Sequence, residues 1–265
     1  MRKRKMEQLK KILKTTELKS SDKRPYAVKM AEWRNTEQGH LNEHDGIECN
    51  ICKNKGIIYS ADGNNPVLSQ RPCKCMAKRN AIKYMKESGL DNLLEHRVSS
   101  YIAKDEWQKV IKAMAAEYVQ DEHSEWFCLL GQSGAGKTHI CSAVAKTFLD
   151  RGIETKYVVW NTFIRELKSD MLNDKRMMYQ FQKVPVLYID DFLKGKYTEM
   201  DVTLAFDLLN YRYNNKLTTI ITSELSFAKL MEIDSAVAGR IKERCGKYMQ
   251  EISKDDKKNY RLKNQ

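Results

Sequence analysis

The spacing of apolar residues changes character along the chain. Near the start, Met6, Leu9, Ile12 and Leu13 recur at helical intervals among lysines, which predicts a short basic amphipathic helix. Such a helix suits docking to another protein, packing in an ordinary core, or lying on a membrane surface. Residues 20–46 carry no apolar stripe and read as a polar linker. Residues 77–123 return to a helical period, as AKRNAIKYMKESGL and then DEWQKVIKAMAAEYVQ, with Asp105 as N-cap of the second. From Trp126 short apolar runs alternate with amphipathic stretches. WFCLL, KYVVW, VPVLYI and LTTIIT predict strands. THICSAVAKTFLD (closed by Gly152), TFIRELKSDML and TEMDVTLAFDLLNYRY predict helices. Ser226 and Ser235 read as N-caps of two more helices, the second (AVAGRIKERC) ending near Gly246, and YMQEI as a last strand. Strand–helix alternation of this kind predicts an α/β fold with a parallel sheet.

The chain has 265 residues, 42% of them hydrophobic. That suffices for a core, excludes global disorder, and allows one large domain or two modest ones. No run of about 18 apolar residues occurs, so no transmembrane helix is expected. The charged N-terminus lacks the apolar stretch of a signal peptide, so the cytoplasm is the expected compartment. Four segments are expected: a basic arm and linker (1–46), a cysteine module (47–76), a helical linker (77–124) and a nucleotide-binding domain (125–265).

The net charge is +12, unevenly spread. Residues 1–30 carry +8, 71–90 carry +5 and 240–265 carry +5, while 91–239 sum to −3. An acidic partner such as nucleic acid would therefore meet the edges of the molecule rather than its middle. Solubility alone is the simpler explanation of terminal lysine runs.

Gly131-Gln132-Ser133-Gly134-Ala135-Gly136-Lys137-Thr138 matches G-x-x-x-x-G-K-[ST], with an apolar strand before it and a helix after it. Backbone N–H groups of such a loop point inward at phosphate oxygens, and the helix N-terminus adds positive potential. Lys137 is expected to reach the β- and γ-phosphates of ATP, and the Thr138 hydroxyl to sit on Mg²⁺. Ser133 is not a hydrolase nucleophile, because Ala135 stands where that turn needs glycine. Val186-Leu187-Tyr188-Ile189-Asp190-Asp191 supplies the second element, a buried strand ending in two acids. Asp190 would hold Mg²⁺ through water, and Asp191 would orient or deprotonate the attacking water; the plainer alternative is two acids capping a turn.

Cys49-x-x-Cys52 and Cys73-x-Cys75 form two close pairs. Four thiols so spaced can surround Zn²⁺ tetrahedrally, with Gly56, Gly63 and Pro66 turning the chain between two short strands. Reactive thiols or a disulfide are the alternatives, and His40 or His44 can replace one ligand. Cys128, Cys141 and Cys245 lie in apolar patterns and read as core.

Taken in order, the cysteine pairs, GQSGAGKTH, VLYIDDF, TIITSEL, GRIKERC and NYRL resemble the bacterial replicative-helicase loaders of the DnaC/DnaI type, a branch of the AAA+ ATPases with phage and mobile-element members. The resemblance spans roughly residues 45–263. It implies a three-layer AAA+ P-loop NTPase sheet preceded by a small zinc-binding module and an N-terminal helical arm. It extends the nucleotide-binding run to His139 and places the first phosphate sensor at Thr222–Ser223, where many members carry Asn next and this chain has Glu224. Arg244 matches the arginine finger that serves a neighbouring subunit, supported by Arg240, and Arg261 matches the second sensor. Lys194, Lys196 and Tyr197 fall where family members bind single-stranded DNA, two phosphate contacts and a stacking face; a solvated loop is the plain alternative. Asp191 stands where most AAA+ proteins have Glu, which suggests slow turnover. The roughly thirteen residues after the last predicted strand are too few for a full helical lid.

The resemblance implies an ATPase, slow and stimulated by single-stranded DNA. It would load a ring-shaped, hexameric replicative DNA helicase onto single-stranded DNA, hydrolysing ATP between side-by-side copies of itself and using no membrane. A transposition-type AAA+ ATPase that recruits a transposase is the alternative; a small-molecule kinase or a catalytically dead zinc adaptor fits the motifs less well.

Overall fold

A computed structural model describes residues 23–62, 67–87, 91–120, 125–173 and 176–263. The basic helix expected around Met6–Leu13 lies outside these residues, as do Gly63 and Pro66. The chain divides into two compact units after Cys73. Among the described residues, no helix is long and apolar enough to cross a membrane.

In the first unit, the stretch expected to be a linker is helical. Helix α1 (Tyr26–Thr36) follows Pro25, and a short α2 (Leu41–Asp45) ends on Gly46 in the left-handed conformation. Only Ala31 of α1 is buried, so the sequence carries no apolar stripe to announce it. Strands β1 (Ile57–Ser60) and β2 (Ser69–Pro72) pair antiparallel, the two short strands expected between the cysteine pairs. The Asn35 amide ties α1 to β1, donating to Tyr59 O (2.8 Å) and accepting from Tyr59 N–H (3.0 Å), and the Arg34 guanidinium lies 5.0 Å above the Tyr59 ring.

The second unit begins with α3 (Cys75–Glu87), a 3₁₀ turn (Asp91–Glu95) and α4 (Glu106–Tyr118), whose N-terminus Asp105 caps. Then come β3 (Phe127–Gly131), α5 (Lys137–Asp150), β4 (Thr155–Val159), α6 (Trp160–Asn173), α7 (Arg176–Lys183), β5 (Val186–Asp190), α8 (Glu199–Asn214), β6 (Thr218–Thr222), α9 (Phe227–Ile233), α10 (Ser235–Cys245), β7 (Met249–Ile252) and a short α11 (Tyr260–Lys263). Ser226 caps α9 as expected, but Asp234, not Ser235, caps α10: its Oδ1 accepts from Val237 N–H at 2.8 Å. Helix α7 was not legible as a separate helix.

The five strands form one parallel sheet in the order β4-β5-β6-β3-β7. Alternation along β3 divides its side chains between two cores. Cys128 and Leu130 join Trp160, Leu187, Ile189, Leu208 and Ile241 on one face; Phe127 and Leu129 join Ile140, Val144, Tyr188 and Ile220 on the other. Both faces are covered by helices, so the strands read as continuous apolar runs, and the unit is the expected three-layer α/β sheet. Arg212 is fully buried beneath it. It donates to Phe181 O (2.9 Å), Val184 O (2.8 Å), Thr219 Oγ1 (2.9 Å) and Thr218 O, fastening the turn between α7 and β5 to β6.

Candidate nucleotide site and cysteine centre

The carboxyl ends of β3, β5 and β6 converge on the glycine loop. Gly131 and Gly134 both have positive φ, +89° and +70°. A Cβ on the first would run into Ile252 O, and on the second into the Asn259 side chain. At Gly131 glycine is required by close packing against backbone as well as by conformation, and at Gly134, where the obstacle is the end of a side chain, by conformation. Lys137, first residue of α5, is buried and donates to Gly131 O and Gln132 O, each at 2.7 Å. Burial lowers its pKa, countered by Glu224, Asp191 and Asp190 around it. Ala135 is buried within the loop.

Asp190 closes β5 with its carboxylate among hydroxyls. Tyr157 (2.8 Å) and Tyr188 (2.9 Å) donate to it, as do Thr138 (3.2 Å) and Thr222. The parallel register sets Tyr157 beside Tyr188 and Val159 beside Asp190, so strand alternation brings both tyrosines to the face that carries Asp190. Burial, reinforced by the neighbouring Asp190, pushes both phenols well above the ordinary tyrosine value and keeps them donors. Thr138 and Asp190 together offer a hydroxyl and a carboxylate at a helix N-terminus, a hard oxygen set that suits Mg²⁺ beside a phosphate.

Asp191 adopts a left-handed φ of +54° and its N–H donates to Thr222 Oγ1 (3.0 Å). Its carboxylate pairs with Lys194 (3.0 Å), which also meets Glu224 (2.9 Å). Glu224 accepts from Ser133 Oγ of the glycine loop at 2.7 Å. Although partial burial opposes it, hydrogen bonds from Ser133 and Lys194 hold the Glu224 carboxyl below its ordinary range, and those to Glu224 and Asp191 hold the Lys194 ammonium above its own. Lys194, read from the sequence as a DNA contact, pairs with the acids beside the glycine loop while its side chain stays 37% exposed. Lys196 is exposed and Tyr197 is 37% exposed.

Ser223 meets the loop only through its backbone, its carbonyl accepting from Gly131 N–H at 3.0 Å, while its side chain bonds elsewhere. It is fully buried, donates to Phe192 O (2.7 Å) and accepts from Leu225 N–H (3.1 Å); its neighbours Thr222 and Glu224 make the contacts to Asp190 and Ser133 instead. His139 stacks on His96 at 4.2 Å and lies 5.6 Å from the Tyr101 ring, bracing residues 96–101 against α5. The C-terminal segment also meets the loop: Tyr260 N–H donates to Gly134 O (3.0 Å), and the Tyr260 hydroxyl accepts from Gln108 (3.0 Å). Arg261, next in sequence, is exposed. The tyrosines' bonds to Asp190 had no signal in the sequence, whereas the tail was marked by NYRL, though for Arg261 rather than for the Tyr260 contact.

Arg240 and Arg244 lie on α10. Arg240 bonds Asn210 (3.0 Å) and stacks over Phe206 (4.9 Å to the ring centre). The Arg244 carbonyl accepts from Trp126 N–H at 2.9 Å, just before β3 begins. Gly131 ends that strand, about 16 Å away at the usual rise per residue. The chain's own glycine loop and its Arg244 therefore sit at opposite ends of β3.

The four thiols of Cys49, Cys52, Cys73 and Cys75 lie within 4.8 Å of one another, with Cys49 and Cys73 Sγ 3.8 Å apart. Tetrahedral bonds of about 2.3 Å to a central zinc would space sulfurs by roughly 3.8 Å, so the donor set fits that ion. The turn between Cys49 and Cys52 is held by Asn54, whose Oδ1 accepts from Cys49 N–H (2.7 Å), and Gly56 N–H donates to Cys52 Sγ (3.3 Å). Backbone donors of this kind stabilise thiolates around a metal.

Residues 69–265 match the family described as IstB-like ATP binding protein. The chain belongs to that family. It is an ATP-binding protein. Its relatives include the uncharacterized protein YqaM of Bacillus subtilis, 29% identical over 68% of this chain and 62% of YqaM. XkdC, a phage-like element PBSX protein of the same organism, is 28% identical over 76% of this chain and 81% of XkdC. A crystal structure of the DnaC helicase loader superposes with a TM-score of 0.54 at 21% identity, covering 62% of this chain and 99% of that one; that likeness establishes the shared AAA+ fold.

Proposed function

We propose that the protein loads a ring-shaped replicative DNA helicase onto single-stranded DNA, with ATP hydrolysed between neighbouring copies of itself. The observation that carries the reading is the separation of Arg244 from its own glycine loop along β3. An arginine there is out of reach of its own nucleotide and suits a trans role, stabilising transition-state charge on a neighbour's γ-phosphate. The fold neighbour named as a helicase loader favours this reading over the transposase-recruiting alternative, and the relative from a phage-like element suits service in phage replication.

In this reading Lys137 and the loop N–H groups bind the phosphates, while Thr138 and Asp190 hold Mg²⁺, which neutralises phosphate charge when bound. Asp191 orients the attacking water. Arg261 and Arg240 support the nucleotide and the finger. Lys196 and Tyr197 contact the DNA strand. Zinc held by Cys49, Cys52, Cys73 and Cys75 fixes the N-terminal module, which with residues 1–46 docks on the helicase. Arg244→Ala is expected to abolish DNA-stimulated ATP turnover while leaving ATP binding intact, measured by phosphate release and by equilibrium binding of a fluorescent nucleotide. Turnover equal to that of the unaltered protein removes the trans role.

A further inference from the structure

The turn after β5 is bent in an uncommon way. Asp191 and Leu193 both have left-handed φ, +54° and +52°, although neither is glycine and Leu193 is buried. Such conformations are costly for non-glycine residues and persist where the surroundings enforce them. Their result is to curl Lys194 back on the site: its N–H donates to Asp191 O (3.1 Å), and its ammonium lies between the Asp191 and Glu224 carboxylates at 3.0 and 2.9 Å.

Charge explains why a lysine is needed there. Asp190, Asp191 and Glu224 surround Lys137, so without Lys194 three carboxylates would face one ammonium in a pocket that receives the phosphates of ATP. Glu224 adds an acid at the edge of the glycine loop, through Ser133. An uncompensated acid there would repel the terminal phosphate.

We propose that Lys194 is a nucleotide-site residue, whose ammonium, held between Asp191 and Glu224, discriminates ATP from ADP by meeting the γ-phosphate, with Glu224 as its positioning partner. Glu224 and Lys194 then act together as a composite sensor of the third phosphate. The proposal rests on the glycine loop being the ATP site, which ADP binding by the unaltered protein tests separately.

The test uses the full chain and the variants Lys194→Met, Glu224→Gln and the double variant. Affinities for ADP and for a β,γ-methylene ATP analogue are measured with Mg²⁺, alongside binding of a labelled oligothymidylate without nucleotide. Lys194→Met is expected to weaken the analogue by roughly tenfold, equivalent to about 1.4 kcal/mol, with ADP within about twofold and the oligonucleotide unaffected. The double variant is expected to stay without most of the preference for the analogue, because the ammonium that meets the γ-phosphate is gone in it as well. Equal loss for both nucleotides in Lys194→Met, or a double variant that regains the preference, overturns the proposal. So does an unchanged analogue-to-ADP ratio accompanied by weaker oligonucleotide binding, which returns Lys194 to the DNA surface. Failure of the unaltered protein to bind ADP sinks the ATP-site reading itself, and this inference with it.

Discussion

The two units are held together by different means. Among its described residues the first buries only Ala31, Cys52, Asn54, Gly56 and Cys73. Among these residues its apolar interior is limited to Ala31, Cys52 and Cys73, and its contacts centre on the Cys49–Cys52 turn and Asn54. The second buries an apolar core on each face of a five-stranded sheet. A segment that cannot bury enough apolar surface depends on cross-links or metal for its fold, whereas a two-sided sheet depends on packing. With zinc held as proposed, the difference implies that the units fail separately, the first with loss of metal and the second with loss of core contacts.

Metal removal breaks the comparison most sharply. A strong chelator, or Cys52→Ser, is expected to unfold the first unit, because a structural zinc supplies on the order of 10 kcal/mol. Hydrogen exchange should then show protection lost over residues 47–62 and retained over β3, β5 and β6. Protection lost in both units together would mean that they fold as one.

Arg212→Met tests the second unit from inside. Desolvation pulls this guanidinium down to a pKa of about 9, and its backbone partners are buried carbonyls. Removing it strands those acceptors, at a cost of roughly 3–5 kcal/mol. Urea denaturation followed by tryptophan fluorescence measures that loss, and zinc retention shows whether the first unit survives. A change below about 1 kcal/mol would mean that water replaces the guanidinium at those carbonyls.

The smallest effect sharpens the site itself. Replacing Tyr157 and Tyr188 by Phe keeps both rings and removes two donors to Asp190. Nucleotide affinity without magnesium should hold, while the Mg²⁺ concentration needed for tight binding rises roughly tenfold, the usual effect of losing partners behind a metal ligand. Equal losses with and without Mg²⁺ would assign the hydroxyls a packing role only.

What the sequence revealed follows the range of the interactions involved. The glycine loop, the two acids after β5 and the cysteine pairs are local patterns, each needing only a few neighbouring residues to state its chemistry. The strands were legible because a covered parallel sheet demands continuous apolar runs. Helix α1 was not, because its contacts run through Asn35 and Arg34 rather than an apolar stripe. Helix α7 merged with its surroundings because it is short and its apolar residues are Met177, Met178 and Phe181. The pairing of Lys194 with Asp191 and Glu224, the turning of the Ser223 side chain away from the loop and the bonds of Tyr157 and Tyr188 to Asp190 depend on strand register and on backbone φ. A loop lysine reads as solvent-facing and a strand tyrosine as core until the third dimension is available.

The loading reading is tested most directly by mixing the full chain with the replicative hexameric helicase of its own cell and weighing the complex by native mass spectrometry with ATP present. The expected result is a complex of the helicase with several copies of this protein, which dissociates as ATP is hydrolysed in the presence of single-stranded DNA and persists when Arg244 is replaced by Ala. Free helicase and free protein at every nucleotide state, with recovery of a transposase instead, would contradict it.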